Sequence, residues 1–322
     1  IAGLDLVNFD TYETIWNMER LPERMIVVGG GPIGCEMAQA FRRLGSQVTL
    51  VEGGERLLLQ DDLQSSQVIA KVFSDEGVTL HLNASVKRVW QDQVGIHVDI
   101  GDGEIVGDAL LVAVGRKPNV AGLGLENAGV QYSSNGIDVD INLRTNQKHI
   151  FAAGDCTGSY QFTHYAGWQA AMAARNALLP GNSKGQTDLV PWTTFTDPEV
   201  AQVGLTEAQA RLKYGDVVMI CDWPMSKVDR ARAEVDTAGF LKIIHKKDGT
   251  LLGVTIVAAR AGEMIHEWVV AMDRGLKVGD ISAAIHVYPT YSVASMQASA
   301  AIRIDQLLDG ISGRVIRGLS RL

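Results

Sequence analysis

The stretch MIVVGGGPIGCEMAQAFRRLGSQVTLVE, residues 25–52, decides the fold. Residues 25–28 are an apolar run too short for a helix and β-branched at its end, which suits a buried parallel strand. Gly29, Gly31 and Gly34 then supply GxGxxG. The first glycine turns with positive φ, the second lets the backbone approach a pyrophosphate, and the third lets a helix pack on the strand. Pro32 and Ile33 open that helix, and proline is tolerated there because its missing N–H has no intrahelical partner. The free N–H groups and the positive end of the helix dipole face the bound phosphates.

Working outward, residues 47–51 read as a second strand that ends in Glu52, about twenty residues beyond the turn. An acid there accepts both ribose hydroxyls and repels a 2′-phosphate. Gly53, Gly54 and Glu55 follow, with no base before Arg56, so the pattern predicts NAD rather than NADP. A glycine turn in some other α/β protein is the competing reading, and the strand, helix and acid spacing argue against it.

The totals bound what the rest can be. With 322 residues the chain has room for two or three domains. Hydrophobic content of 46% and charged content of 20% are those of an ordinary globular protein. A net charge of −8 argues against a nucleic-acid partner, and no apolar run approaches membrane-spanning length. Cys35, Cys156 and Cys221 form no CxxC, CxxxxC or metal-spaced set, so no metal is expected and cytoplasmic thiols are the simplest reading.

Residues 1–23 show no core-forming periodicity and read as a connector. Residues 24–119 are predicted to form the nucleotide domain: helix near 62–75, strand at 78–82, a meander over 85–90, 95–100 and 104–106, and a closing strand at 109–114. That strand exits at Gly115, Arg116, Lys117, Pro118 and Asn119. In residues 120–190 the pattern predicts alternation at 137–141, a strand at 149–153 ending in Gly154 and Asp155, and an alanine-rich helix near 165–179. Asp155 is open between a polyol ligand and a helix cap. The polar linker 180–188 marks the best boundary, and residues 191–322 read as an α+β domain with a last helix at 294–308. Arg314, Arg317 and Arg321 in the tail suit a frayed or docked terminal helix better than one lying on a membrane.

With these residues in place, the sequence resembles the flavin-dependent pyridine nucleotide-disulfide oxidoreductases, the group that includes dihydrolipoamide dehydrogenase and mercuric reductase. The likeness rests on VVGGGPIGCE, AVGRKPN, T-x4-IFAAGD from Thr145 to Asp155, and PWTTFTDPEVAQVGLTE over 191–207. It implies an α/β Rossmann-like NAD-binding domain, the C-terminal part of an FAD domain and a C-terminal α+β dimerisation domain forming a homodimer. It implies that Gly29, Gly31 and Gly34 hold the NAD pyrophosphate, that Glu52 takes the adenosine ribose, and that Glu36 lies near nicotinamide and flavin. Otherwise Glu36 is an acid favourably placed in a first helical turn. Asp155, beside Gly154, becomes the ligand of the FAD ribityl chain, and Thr163 and His164 contact the flavin through their backbone.

Two departures from the family pattern shape the functional expectation. Members begin with an FAD-binding half carrying its own GxGxxG; nothing in these residues corresponds to it. The expectation is therefore a piece of a longer protein, whether by truncation, proteolysis or splitting, that binds NADH and holds FAD weakly or not at all. Disulfide-active relatives carry HPTxSE, whereas residues 286–293 here read HVYPTYSV, so Tyr288 stands at the base position and Val293 at the glutamate position. Tyrosine, with an ordinary pKa of about 10, is a poor base for a thiol at neutral pH. His286 substitutes only if the loop re-aims it, and is otherwise a packed loop residue. The expected activity is NADH oxidation through FAD to an unidentified small-molecule or disulfide acceptor, as in mercuric reductase or a transhydrogenase. The alternatives are a dihydrolipoamide dehydrogenase-type disulfide reductase with its cysteines in the absent half, and a non-catalytic NAD-binding dimerisation module.

Overall fold

The computed structural model describes residues 1–309. Contacts group residues 1–114 with the C-terminal part from Thr193 as one unit, and residues 115–192 as a second.

The first unit opens with residues 1–23, which are more than a connector. Short 3-10 turns at Leu4–Leu6 and Ile15–Asn17 bury Val7 and Ile15 in the core, and Ala2 and Asp10 bridge to Arg88 and Leu111. The turns break any periodicity, which is why the sequence alone shows no core-forming pattern there. Strand β1 (Arg24–Val28), helix α1 (Pro32–Leu44), β2 (Gln47–Val51), α2 (Leu63–Glu76) and β3 (Thr79–His81) follow. Gly45 closes α1 and Gly77 closes α2, both left-handed, and the Asp62 carboxylate caps α2 by accepting from Gln64 N at 3.0 Å. A meander of β4 (Arg88–Gln91), β5 (Ile96–Asp99) and β6 (Glu104–Gly107) precedes β7 (Ala109–Val112). The main sheet is parallel, in the order β3-β2-β1-β7, with Met25 opposite both Val48 and Ala109.

The meander holds a histidine between two carboxylates. His97 Nδ1 lies 2.6 Å from Glu104 and Nε2 lies 2.9 Å from Asp92, while the ring stacks 5.0 Å from Trp90. Its hydrogen bonds to Glu104 and then Asp92 raise its pKa, and Asp92 is lowered in return. A raised histidine contributes stability fully below its unfolded value, about 6.5, and loses it as pH rises through the higher folded value. Because imidazolium stacked on an indole quenches its emission, the wild-type minus Trp90→Phe fluorescence should rise with pH at a midpoint above 6.5. His97→Gln should abolish that transition; a midpoint at or below 6.5 would contradict the arrangement.

In the second unit, β8 (Tyr132–Ser133) and β9 (Gly136–Ile137) form a small hairpin, a 3-10 turn spans Gly154–Thr157, and α3 spans Thr163–Leu178. Two sequence expectations fail here. The alternation at 137–141 yields strand only at its start. The apolar run 149–153 does not extend into a strand: its pairing stops at the two bonds Thr145 N to Ile150 O and Ala152 N to Leu143 O. The run therefore folds back on its own neighbours, with one bridge between Arg144 and Phe151.

From there β10 (Trp192–Thr194), β11 (Glu199–Gly204), α4 (Glu207–Tyr214), β12 (Val218–Pro224), α5 (Asp229–Ala233), β13 (Phe240–Lys246), β14 (Leu251–Ala258), α6 (Ala261–Asp273), α7 (Val278–Ala283) and α8 (Val293–Asp309) complete the chain. The sheet runs β10-β11-β14-β13-β12, with every residue of β14 buried, and Trp268 Nε1 donates to Ser295 Oγ at 3.2 Å to tie α6 to α8. Val200, Phe240 and Val257 join the same hydrophobic cluster as Met25, Ile69 and Phe73. The arginine-bearing tail lies outside the described residues.

At this junction Lys242 of β13 is a buried cation. Its Nζ lies 2.9 Å from Asp62 and 2.9 Å from Glu207, with side-chain exposures of 6%, 3% and 26%. Burial depresses the ammonium, and the hydrogen bonds to Asp62 and Glu207 outweigh it, leaving the pKa raised. Among the described residues, no helix is long and apolar enough to cross a membrane and no His/Cys/Asp/Glu group is placed to hold a metal ion.

Candidate functional site

The first cluster of predicted site residues sits at the carboxyl ends of β1 and β2. Gly29 adopts φ +113°, and a Cβ there would lie 2.5 Å from the Ala113 carbonyl oxygen. At Gly34 a Cβ would lie 1.8 Å from the Gly29 carbonyl oxygen, so only glycine lets α1 approach the turn. Gly31 differs: nothing lies within 4 Å of its Cβ position, leaving room for a ligand. Pro32 and Ile33 occupy the first turn of α1, and no side chain caps that helix. Its leading N–H groups therefore offer donors to an anion.

Glu52 is drawn to the same turn. Its Oε2 accepts from Gly30 N and its Oε1 from Gly54 N, both at 2.6 Å. Each oxygen keeps a lone pair for a hydroxyl, so the bonds fix the carboxylate without exhausting it. Arg56, the nearest base in sequence, is turned away. Its Nη1 bonds Leu58 O at 3.1 Å and Ser66 Oγ at 2.5 Å, and Nη2 bonds Leu59 O at 2.8 Å and Asp61 O at 3.1 Å.

Glu36 falls in the second turn of α1 rather than the first, so helix-dipole placement does not explain it. Its Oε1 instead accepts from Phe195 N at 2.8 Å, and burial raises its pKa against the lowering effect of that bond. Sequence reading missed Gln39, whose side-chain amide bonds both the N–H and the carbonyl of Asp197; nothing in the local pattern marks an amide for that role.

The second unit gathers Gly154, Asp155, Thr163 and His164 with Gly115. Asp155 is not a helix cap. It sits in the first turn of the 3-10 helix, and its Oδ2 accepts from Arg116 Nη2 at 2.6 Å. Arg116 also donates to Gln161 O at 3.1 Å, so the AVGRKPN segment braces the acid while its other oxygen remains available to a hydroxyl donor. Gln169, fully buried, accepts from Gly154 N at 2.8 Å and donates to Gly185 O at 3.0 Å, which fixes the turn. Thr163 and His164 begin α3, which no side chain caps, so their N–H groups are presented for acceptor atoms; His164 Nε2 itself contacts Pro191 O at 2.7 Å. Gly115 adopts φ +123° with nothing within 4 Å of its Cβ position. The polar groups of this unit fit a polyhydroxylated chain.

The third set lies on the loop between α7 and α8. Tyr288 is 67% exposed, and its hydroxyl donates to Asp229 Oδ2 at 3.1 Å, which raises its pKa and makes it a still poorer base. His286 is turned inward. Its Nε2 lies 2.9 Å from Glu267 and its Nδ1 lies 3.1 Å from Ala284 O, so neither ring nitrogen faces outward as a base. Its geometry is that of a packed loop residue.

Comparison with known proteins is consistent across sequence and structure. The family described as pyridine nucleotide-disulphide oxidoreductase matches residues 6–170, and its dimerisation domain matches residues 190–299. A mercuric reductase of Bacillus cereus is 38% identical over 296 residues, which are 90% of this chain and 47% of that protein. A dihydrolipoyl dehydrogenase of Thermus scotoductus is 35% identical over 314 residues, covering 93% of this chain and 68% of that protein. The solved structure of the HOCl-induced flavoprotein disulfide reductase RclA from Escherichia coli superposes with a TM-score of 0.84 at 32% identity, covering 91% of this chain and 68% of that one. The chain spans about half the length of the mercuric reductases of Bacillus cereus and Lysinibacillus sphaericus, 47% and 54%. With the glycine turn, the braced Asp155 and both family segments in place, the chain belongs to the pyridine nucleotide-disulphide oxidoreductases.

Proposed function

We propose that this chain is the NADH-binding and dimerisation part of a homodimeric flavoenzyme that carries electrons from NADH to an acceptor. When bound, FAD supplies the chemistry by taking up hydride from NADH. The chain's own residues bind and orient. Gly29, Gly31, Ile33 and Gly34 hold the pyrophosphate, Pro32 presets the turn, and Glu52 takes the adenosine ribose. Glu36 faces the nicotinamide end, Asp155 holds the ribityl chain beside Gly154 and Gly115, and the N–H groups of Thr163 and His164 meet the flavin ring.

The observation that carries this reading is the Glu52 carboxylate locked beside the glycine turn with Arg56 held elsewhere. A 2′-phosphate there would meet a fixed negative charge and no cation, which favours NADH over NADPH. Tyr288 in place of a histidine base favours an acceptor whose reduction needs no thiol deprotonation, as the names of the mercuric reductase relatives suggest, over a dihydrolipoyl substrate. Dimerisation through the C-terminal domain agrees with the exposed apolar side chains of Ile285 and Val287 beside Tyr288. Three free cysteines agree with a reducing compartment, and the cytoplasm is the proposed location.

The test is anaerobic addition of NADH to the FAD-loaded homodimeric flavoenzyme of which this chain is proposed to be a part. Bleaching of the visible flavin band by NADH, with much slower bleaching by NADPH, is the expected result. A flavin that stays oxidised with NADH would overturn the proposal.

A further inference from the structure

Gln39 is a buried amide in the middle of α1, 3% exposed, and its bonds are unusual for a helix-interior side chain. Its Oε1 accepts from Asp197 N at 2.7 Å and its Nε2 donates to Asp197 O at 2.8 Å, a two-point grip on one backbone residue. Nε2 also donates to Glu76 Oε1 at 3.1 Å. Glu36 lies three residues earlier on the same helix face and accepts from Phe195 N. The N–H groups of residues 195 and 197, on the bend between β10 and β11, are therefore matched to successive turns of the helix that begins at the glycine turn. Arg43 contacts the same two residues through their side chains alone, bridging the Asp197 and Glu76 carboxylates at 2.7 and 2.6 Å in a half-exposed ion pair.

We propose that Gln39 is a positioning residue for the nicotinamide half of the dinucleotide: by gripping Asp197 it holds the Phe195 N–H on Glu36 and so fixes where that carboxylate points. This rests on the reading of Glu36 given above. Oriented toward the nicotinamide end, a fixed carboxylate attracts the positive ring of NAD+ more than the neutral ring of NADH, and has nothing to attract in ADP-ribose. A released carboxylate rotates toward water and loses that preference. The adenosine and pyrophosphate contacts, made by Glu52 and the glycine turn, are untouched.

The experiment titrates the 322-residue chain calorimetrically with NAD+, NADH and ADP-ribose, as wild type and as Gln39→Leu, Gln39→Asn, Glu36→Gln and Arg43→Ala. Gln39→Asn keeps an amide too short to reach Asp197, and serves if the leucine variant fails to fold. Both Gln39 variants should lower NAD+ affinity about ten-fold, the worth of one charge-assisted hydrogen bond, with a smaller loss for NADH and none for ADP-ribose. Arg43→Ala removes only the ion pairs to the Asp197 and Glu76 side chains and keeps both Gln39 bonds to the Asp197 backbone, so it should leave all three unchanged. Parallel losses for NAD+ and ADP-ribose, or none for either, would overturn the positioning role. If Glu36→Gln itself leaves the NAD+ to ADP-ribose ratio unchanged, the reading of Glu36 fails. If Glu36→Gln lowers that ratio and Gln39→Asn does not, that reading stands and the role given to Gln39 falls.

Discussion

Gly34→Ala is expected to abolish measurable NADH binding and to destabilise the protein, whereas Gly31→Ala should cost binding alone. The two differ in what a Cβ would meet. At Gly34 it would lie 1.8 Å from the Gly29 carbonyl oxygen, which forces α1 away from β1 and drags the N–H donors with it. Overpacking of this kind costs about 1–3 kcal/mol or more. Displaced donors should weaken NADH by at least about a hundred-fold, on the order of 3 kcal/mol. At Gly31 nothing lies within 4 Å and φ is −76°, so alanine fits the fold while its methyl occupies the approach to the pyrophosphate. Thermal melts paired with calorimetric titration separate the two. Equal effects of both substitutions on stability would show that the glycines do not divide the work in this way.

Lys242→Ala is expected to produce the largest stability loss of any single cation removed among the described residues. It leaves Asp62, 3% exposed, without its partner at 2.9 Å and strips one from Glu207. Removing one member of a buried pair costs about 3–5 kcal/mol, because the remaining charge stays out of water. An exposed pair such as Lys71 with Asp75, at 74% and 63% exposure, should contribute less than about 0.5 kcal/mol by contrast. The control is Lys242→Met combined with Asp62→Asn, which removes both buried charges and should recover much of the loss. Denaturant midpoints measure all three. A Lys242→Ala protein within about 1 kcal/mol of wild type would contradict the buried-hub description.

These expectations draw unequally on what the sequence makes legible. Strands β1 and β2 and helix α1 declare themselves, because apolar runs, glycines and a terminal acid are local signals set by backbone sterics. The meander is readable from its alternation and its turn at Asp92, whose carboxylate accepts from Val94 N at 2.7 Å. Residues 149–153 mislead because an apolar run states burial and not its pairing partner, and here the partner is the chain just before it. The Lys242 hub is faintly legible in hindsight as one lysine inside the apolar run FLKII, yet its acids come from 180 and 35 residues away. Gln39 carries no local signal at all, since its meaning lies in a backbone segment 158 residues downstream. His286 shows the reverse: a histidine two residues before the motif's base position suggests a substitute base, and Glu267 on α6 takes its ring nitrogen.

Everything functional here depends on Glu52 and the glycine turn forming a cradle for a dinucleotide without a 2′-phosphate. Side-by-side calorimetric titration of the purified chain with NADH and NADPH addresses it most directly. Saturable one-to-one NADH binding, at least about ten-fold tighter than NADPH, is the result expected from a carboxylate facing the ribose. Tighter binding of NADPH, or no heat of binding with either nucleotide, would contradict it.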